Sequence, residues 1–199
     1  MNLRRAANMA YRVLVRLQAT DLPVDPLHVL RLCRDTAVCT YTEAAESMGL
    51  SAADFLCRFG DADAFTLRRG SQYIIAYRED GHPARRNFTL AHELAHRLLH
   101  HTGASPEEER EADMFASHLL CPRPAIARLA RRFQPLYAEQ VAAVCYVSLS
   151  CARALSAAPP VDIEETLYRQ VDAQLAAYVD CVTPTTAQNH LHPLLWRAE

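Results

Sequence analysis

Apolar residues recur at Leu3, Ala6, Ala7, Ala10, Val13, Leu14 and Leu17, the three-and-four spacing of one helix face. The pattern predicts an amphipathic first helix, broken at Asp21-Leu22-Pro23-Val24-Asp25-Pro26. Asp25 can cap a second helix with Pro26 at its first position, running to about residue 34. Ala37-Val38-Cys39-Thr40-Tyr41 is a short β-type run. Ser51, with Asp54 three positions on, has the form of an N-cap and opens a short helix through Leu56 and Cys57. Ala64-Phe65-Thr66-Leu67 and Tyr73-Ile74-Ile75-Ala76-Tyr77 flank Arg68-Arg69-Gly70-Ser71. Two β-type runs around a Gly-containing link predict a hairpin.

Residues 78–86 form a polar loop with Gly81 and Pro83, and helical spacing resumes over residues 88–101, with Phe88, Ala91, Ala95 and Leu98 as the buried stripe. Thr102-Gly103-Ala104-Ser105-Pro106 then stops one helix and starts another: Gly ends, Ser caps, Pro takes the first position. Glu107, Glu108 and Glu109 suit a helix N-terminus through the macrodipole. This helix reaches about residue 120, where Cys121-Pro122-Arg123-Pro124 closes it. Helical spacing continues over 125–133, 138–146 and 148–156. Pro159-Pro160 marks a boundary, followed by a helix over 163–179 and a loose tail over the last twenty residues. The expected fold is α+β and mostly helical, with a small sheet packed on the helix of residues 88–101. Residues 1–158 form the domain, and 159–199 a C-terminal helix and tail.

Composition narrows the function classes. Half of the 199 residues are hydrophobic and the formal net charge is −2, so nothing in the global balance demands nucleic acid or membrane. All 21 basic residues are Arg. The seven Cys are scattered, with no C-x-x-C, which favours reduced, buried thiols over a disulfide scaffold. The first twenty residues carry Arg4, Arg5, Arg12 and Arg16 among apolar positions and lack the apolar core of a secretory signal. The longest apolar run, residues 141–149, is too short to span a bilayer. A reducing cytoplasm is the expected location.

The chemistry concentrates in Phe88-Thr89-Leu90-Ala91-His92-Glu93-Leu94-Ala95-His96. His92 and His96 are four residues apart and project from one helix face. Two imidazoles so placed can hold one Zn2+ ion, and Glu93 can act as general base on its water. A third protein ligand is needed. A metzincin would have His at position 102 and Gly at 99; Thr102 and Leu99 stand there instead, and the inverted H-x-x-E-H order is absent. A carboxylate from the acidic helix downstream can complete a His2Glu set. Glu109 is preferred, with Asp113 four residues on to orient a ligand His. Glu111 is the alternative, about 200° away on the helical wheel.

These residues carry a resemblance. Residues 88–101, with His92-Glu93-x-x-His96 and His101, and then Glu109-x-x-Ala112-Asp113-x-Phe115-Ala116-x-x-Leu119-Leu120-x-Pro122, resemble the ImmA/IrrE family of metallopeptidases. One departure is Cys121, where Met is frequent. The resemblance implies a zincin-like core of gluzincin type and a cytoplasmic zinc peptidase acting on helix-turn-helix repressors of mobile elements or stress regulons. It maps the ligand carboxylate onto Glu109 and the base onto Glu93. A non-proteolytic metal-binding regulator that binds a repressor or DNA is the alternative.

Other features receive structural expectations. His100 and His101 sit at a helix C-terminus, where an imidazolium is favourable, and His118 is a partly buried or surface residue. Arg85 and Arg86 are loop charge. Residues 140–150 resemble a helix-turn-helix, but Tyr146 stands where Gly is usual and the second helix offers only Arg153 as a base, so direct nucleic-acid binding is not expected. The strand at residues 72–77 is expected to form the cleft rim and pair with an extended substrate.

Overall fold

The computed structural model describes residues 2–60, 62–103, 105–157 and 160–183. Among the described residues, ten helices and one three-stranded sheet make a mostly helical α+β fold of zincin-like type. The first helix, α1 (Leu3–Leu17), buries Ala6, Ala7, Ala10 and Leu14 as its spacing predicts, and also Asn8 and Tyr11. Asp25 caps α2 (Pro26–Leu32) by accepting from the Leu27 N–H. Then come β1 (Thr36–Thr40), α3 (Tyr41–Ser47), α4 (Ala52–Phe59), β2 (Ala64–Arg69) and β3 (Gln72–Tyr77). α3 was not expected. Thr40 and Glu43 form a reciprocal capping box, so Tyr41 opens a helix rather than ending a strand.

The hairpin forms as expected, with strands that extend to Arg69 and begin again at Gln72. Gly70 takes φ 63° in the two-residue turn, where a Cβ would be strained. β3 is nevertheless the central strand. It pairs antiparallel with β2 and parallel with β1, in register from Thr36 opposite Tyr73 to Thr40 opposite Tyr77. Both its edges are occupied, so it cannot receive a substrate strand; β1 and β2 are the edge strands.

Alternation along the strands divides the core. Val38, Ala64, Ile75 and Tyr77 join the main core with the long helices, whereas Cys39, Phe65 and Ala76 join a smaller cluster with Tyr41 and Phe55 from α3 and α4. Thr66 shares the face of Ala64 and therefore points toward the long helices.

The helix carrying the histidines, α5 (Pro83–Leu99), begins five residues before the expected start. Pro83 takes its first turn and His82 caps it, so Arg85 and Arg86 are helical. Arg85 pairs with Asp63 at 2.5 Å and Arg86 donates to the Glu79 carbonyl. Its buried residues are Ala84, Leu90, Ala91, Glu93, Leu94, Ala95 and Leu99, with Phe88 and Leu98 only half-buried. α5 stops at His100, which adopts left-handed φ 58° and ψ 39°, not at Gly103. α6 (Pro106–Leu120) starts as predicted: Ser105 caps it in a box with Glu108, and Pro106 follows.

α7 (Arg123–Arg132), α8 (Ala138–Cys145), α9 (Leu149–Ala157) and α10 (Glu165–Cys181) complete the chain. Between α8 and α9, Tyr146 takes φ 53° in the turn, and Arg153 lies 3.6 Å from Glu139. Leu167, Val171, Leu175 and Val179 of α10 enter the main core. Arg128 grips Asp172 with two bonds of 2.6 and 2.7 Å, and Arg132 donates to the carbonyls of Val179, Asp180 and Val182 at the end of α10. The boundary expected at Pro159 and the tail from residue 184 onward lie outside the described residues. All seven cysteines are free, but only Cys121 and Cys145 are buried. Among the described residues no helix is long and apolar enough to cross a membrane.

Tyr11 ties α1 to α7. Its ring is fully buried, and its hydroxyl accepts from the Arg123 N–H at 3.0 Å, one of the N–H groups a helix start leaves without an intrahelical partner. Tyr11→Phe keeps the ring and orphans that donor, so it should cost about 1–3 kcal/mol in urea unfolding. An unchanged midpoint would show that the bond contributes nothing net.

Candidate metal centre

His92 and His96 project from α5 on the face toward α6, and Glu109 reaches them from the first turn of α6. His92 Nε2 lies 2.9 Å from His96 Nε2 and 3.2 Å from Glu109 Oε2, and His96 Nε2 lies 3.5 Å from Glu109 Oε1. Four donors set tetrahedrally at about 2.0–2.1 Å from an ion stand about 3.3 Å apart, and the three separations here straddle that value. Two imidazoles and a carboxylate are a donor set that suits zinc, and one donor atom from each lies within 4.8 Å of the others. Glu111, the alternative ligand, faces away from this cluster and contacts His101 and Asn2.

The donors are pre-set by their partners. Asp113 sits 2.9 Å from His92 Nδ1, which keeps that nitrogen protonated and turns the Nε2 lone pair toward the cluster. Burial alone would pull the His92 imidazole below its ordinary value. The Asp113 hydrogen bond and the charges of Asp113, Glu93 and Glu109 outweigh it, so the group is raised. Burial, with the neighbouring imidazoles of His92 and His101, holds His96 down to about 4, so it is neutral and ready to ligate at pH 7. On the far side, His96 Nδ1 lies 3.1 Å from His101 Nδ1.

Glu93 is buried beside the first histidine, 8% exposed, and accepts a hydrogen bond from the Thr66 hydroxyl on β2. Burial raises its carboxyl above the ordinary value, and the Thr66 bond partly offsets this. The cluster opens into a cavity of about 590 Å3 lined by Ala64, Phe65, Thr66, Arg68 and Tyr73 of the sheet, by Glu93, and by the Thr102-Gly103 link. That is large enough for a segment of peptide. A second cavity of about 600 Å3, lined mainly by α6 and α9 with Arg85 and Phe88 of α5, shares only Asp113 with this neighbourhood.

Two site residues escaped the sequence. Thr66 is an unremarked strand position; only the hairpin's alternation, once anchored by Ala64, puts it on the inner face. His101 lies just past the end of α5, where the sequence places it, but nothing in the sequence named a partner for it there; its side chain is 5% exposed and held between His96 and Glu111. His118, expected partly buried or at the surface, is 2% exposed and packs its ring 5.8 Å from that of Tyr11; it is not in the cluster.

A family model described as the IrrE N-terminal-like domain, a peptidase family, matches residues 45–154. No curated protein and no solved structure matches the chain. The matched segment spans more than half of the 199 residues and encloses β2, β3, α5 and α6, so the chain belongs to the IrrE N-terminal-like peptidase family and is one of its metallopeptidases.

Proposed function

We propose that the chain is a zinc-dependent endopeptidase that acts in the cytoplasm on a protein substrate, a helix-turn-helix repressor of a mobile element or stress regulon. His92, His96 and Glu109 are the proposed zinc ligands and Glu93 the general base. The observation that carries this reading is the convergence of two neutral-capable imidazoles and one carboxylate beside a buried, hydrogen-bonded Glu in an open cleft. Zn2+, when bound, supplies a Lewis acid that lowers the pKa of water and polarises the scissile carbonyl.

The remaining work falls to the chain. Glu93 takes a proton from the attacking water and delivers it to the leaving amine, and its raised pKa suits a group that must do both. Thr66 holds the Glu93 carboxylate against β2, so the base is aimed before substrate arrives. Of the two edge strands of the sheet, β1 and β2, it is β2 that lines the cavity. An extended substrate segment can pair its backbone there, the role expected of the strand at 72–77. The runner-up, a DNA-binding regulator, has less support: the α8–α9 pair presents only Arg153 from its second helix, and that residue lies beside Glu139.

The purified protein should carry about one zinc per chain. His92→Ala and His96→Ala should empty the site and Glu109→Ala should weaken it strongly, as measured by metal analysis after dialysis. Full zinc in Glu109→Ala with loss in Glu111→Ala would reassign the third ligand.

Glu93→Gln should keep fold and zinc and lose cleavage by about 10²–10⁴-fold, because an amide cannot accept the proton. The measurement is co-expression with a helix-turn-helix repressor encoded next to the gene, followed by blotting for fragments. Cleavage at the wild-type rate would remove Glu93 from the chemistry.

A further inference from the structure

His96 has two ring nitrogens, and only Nε2 faces the ligand cluster. Its Nδ1 meets His101 Nδ1 at 3.1 Å; His101 Nε2 meets Glu111 Oε2 at 3.4 Å; the other Glu111 oxygen accepts from the Asn2 N–H. With neutral rings, one proton arrangement satisfies every contact of this row, from His96 Nδ1 to Glu111. A carboxylate cannot donate, so His101 carries its proton on Nε2. His101 Nδ1 is then an acceptor, so His96 carries its proton on Nδ1. His96 Nε2 is left as a lone pair, directed at His92 Nε2 and Glu109.

The row is buried and built in. The side chains of His101 and Glu111 are 5% and 11% exposed, and a carboxylate so placed is costly unless hydrogen-bonded. The end of α5 seats it. His100 adopts the left-handed conformation, its N–H bonds to the Arg97 carbonyl at 3.3 Å, and the His101 N–H bonds to the His96 carbonyl at 3.0 Å. That is the Schellman arrangement, and here it folds His101 back over the very residue whose ring it contacts. A non-Gly residue in the left-handed region is disfavoured, so the turn is held by what it positions.

We infer that His101 and Glu111 are positioning residues that fix the ring and tautomer of His96 for a bound divalent cation, the counterpart of Asp113 at His92. The inference rests on the proposed ligand set His92, His96 and Glu109. It gives Glu111, otherwise an unused buried carboxylate, a function distinct from ligation.

The test uses metal-free full chain titrated with Zn2+ against a chromophoric chelator. His101→Leu and Glu111→Leu, which remove the acceptor, should each bind zinc about 10–100-fold more weakly than wild type. His101→Asn should recover most of the loss, because its amide oxygen can accept from His96 Nδ1–H where the imidazole nitrogen did. In the zinc-free protein, ¹⁵N shifts of the His96 ring should report a proton on Nδ1 in wild type and in His101→Asn, and a shift toward Nε2 in His101→Leu and Glu111→Leu. A merely structural role would not move that signal. Should His101→Leu not fold, Glu111→Leu carries both measurements. Wild-type affinity in Glu111→Leu and His101→Leu, or an unchanged His96 tautomer in them, overturns the relay; loss of zinc in His92→Ala in the same series would leave the ligand set standing. If the wild type itself binds no zinc, the ligand set falls, and the ring shifts still decide whether the relay exists.

Discussion

α5 packs against α6, and each helix buries small residues: Ala91 and Ala95 on one, Ala112 and Ala116 on the other, all fully buried. Side chains this small let two helix axes approach toward the close end of the usual 8–10 Å range. The packing of α5 on α6 brings donors from separate helices within 4.8 Å of one another. A larger residue would drive the helices apart by the size of its added methylenes, and the donors would separate before the core failed. α1 locks the pair from outside. Arg5 donates to the Leu99 carbonyl at the end of α5, and the Asn2 N–H binds Glu111 of α6.

The site concentrates ionisable groups in a place where charge is expensive. Glu93 and Glu111 are both 8% exposed, and His96 is held neutral by burial and by the imidazoles around it. Each buried group is answered by a directed partner: Thr66 for Glu93, Asn2 and His101 for Glu111, Asp113 for His92. Burial works against ionising Glu111, and its hydrogen bonds from Asn2 and His101 more than compensate, so its carboxyl is lowered. Glu93 has one such bond and remains raised. The same residue type therefore takes two characters in neighbouring positions, a fixed anion at Glu111 and a proton carrier at Glu93.

What the sequence disclosed was local. The i, i+4 histidines, the Ser-Pro start of α6 and the turn at Gly70 depend on neighbours within a few residues, and each formed where its spacing implied. The helical wheel shows that Glu109 and Glu111 cannot both face the metal, and the preference for Glu109 came from Asp113 four residues on and from the family resemblance. What escaped was either overridden locally or non-local. The Thr40–Glu43 capping box was legible but hidden by the β-type run that Tyr41 seemed to end. Pro83 was read as a loop residue although Pro suits a first helical turn. The central place of β3 depends on a parallel partner, β1, across two intervening helices and β2, which no alternation pattern encodes. His101 could not be paired with Glu111 until the left-handed turn at His100 had reversed the chain, and nothing at His100 signals a conformation usually taken by Gly.

Every role assigned to the site depends on the chemical identity of the metal's ligands, and X-ray absorption at the zinc edge of the loaded protein reads that directly. Ligation by His92, His96 and Glu109 predicts a shell of nitrogen and oxygen at about 2.0–2.1 Å, with outer-shell scattering from two imidazoles and no sulfur. A sulfur contribution at about 2.3 Å, drawn from any of the seven cysteines, or outer-shell scattering from three imidazoles with His101 enlisted, would contradict it.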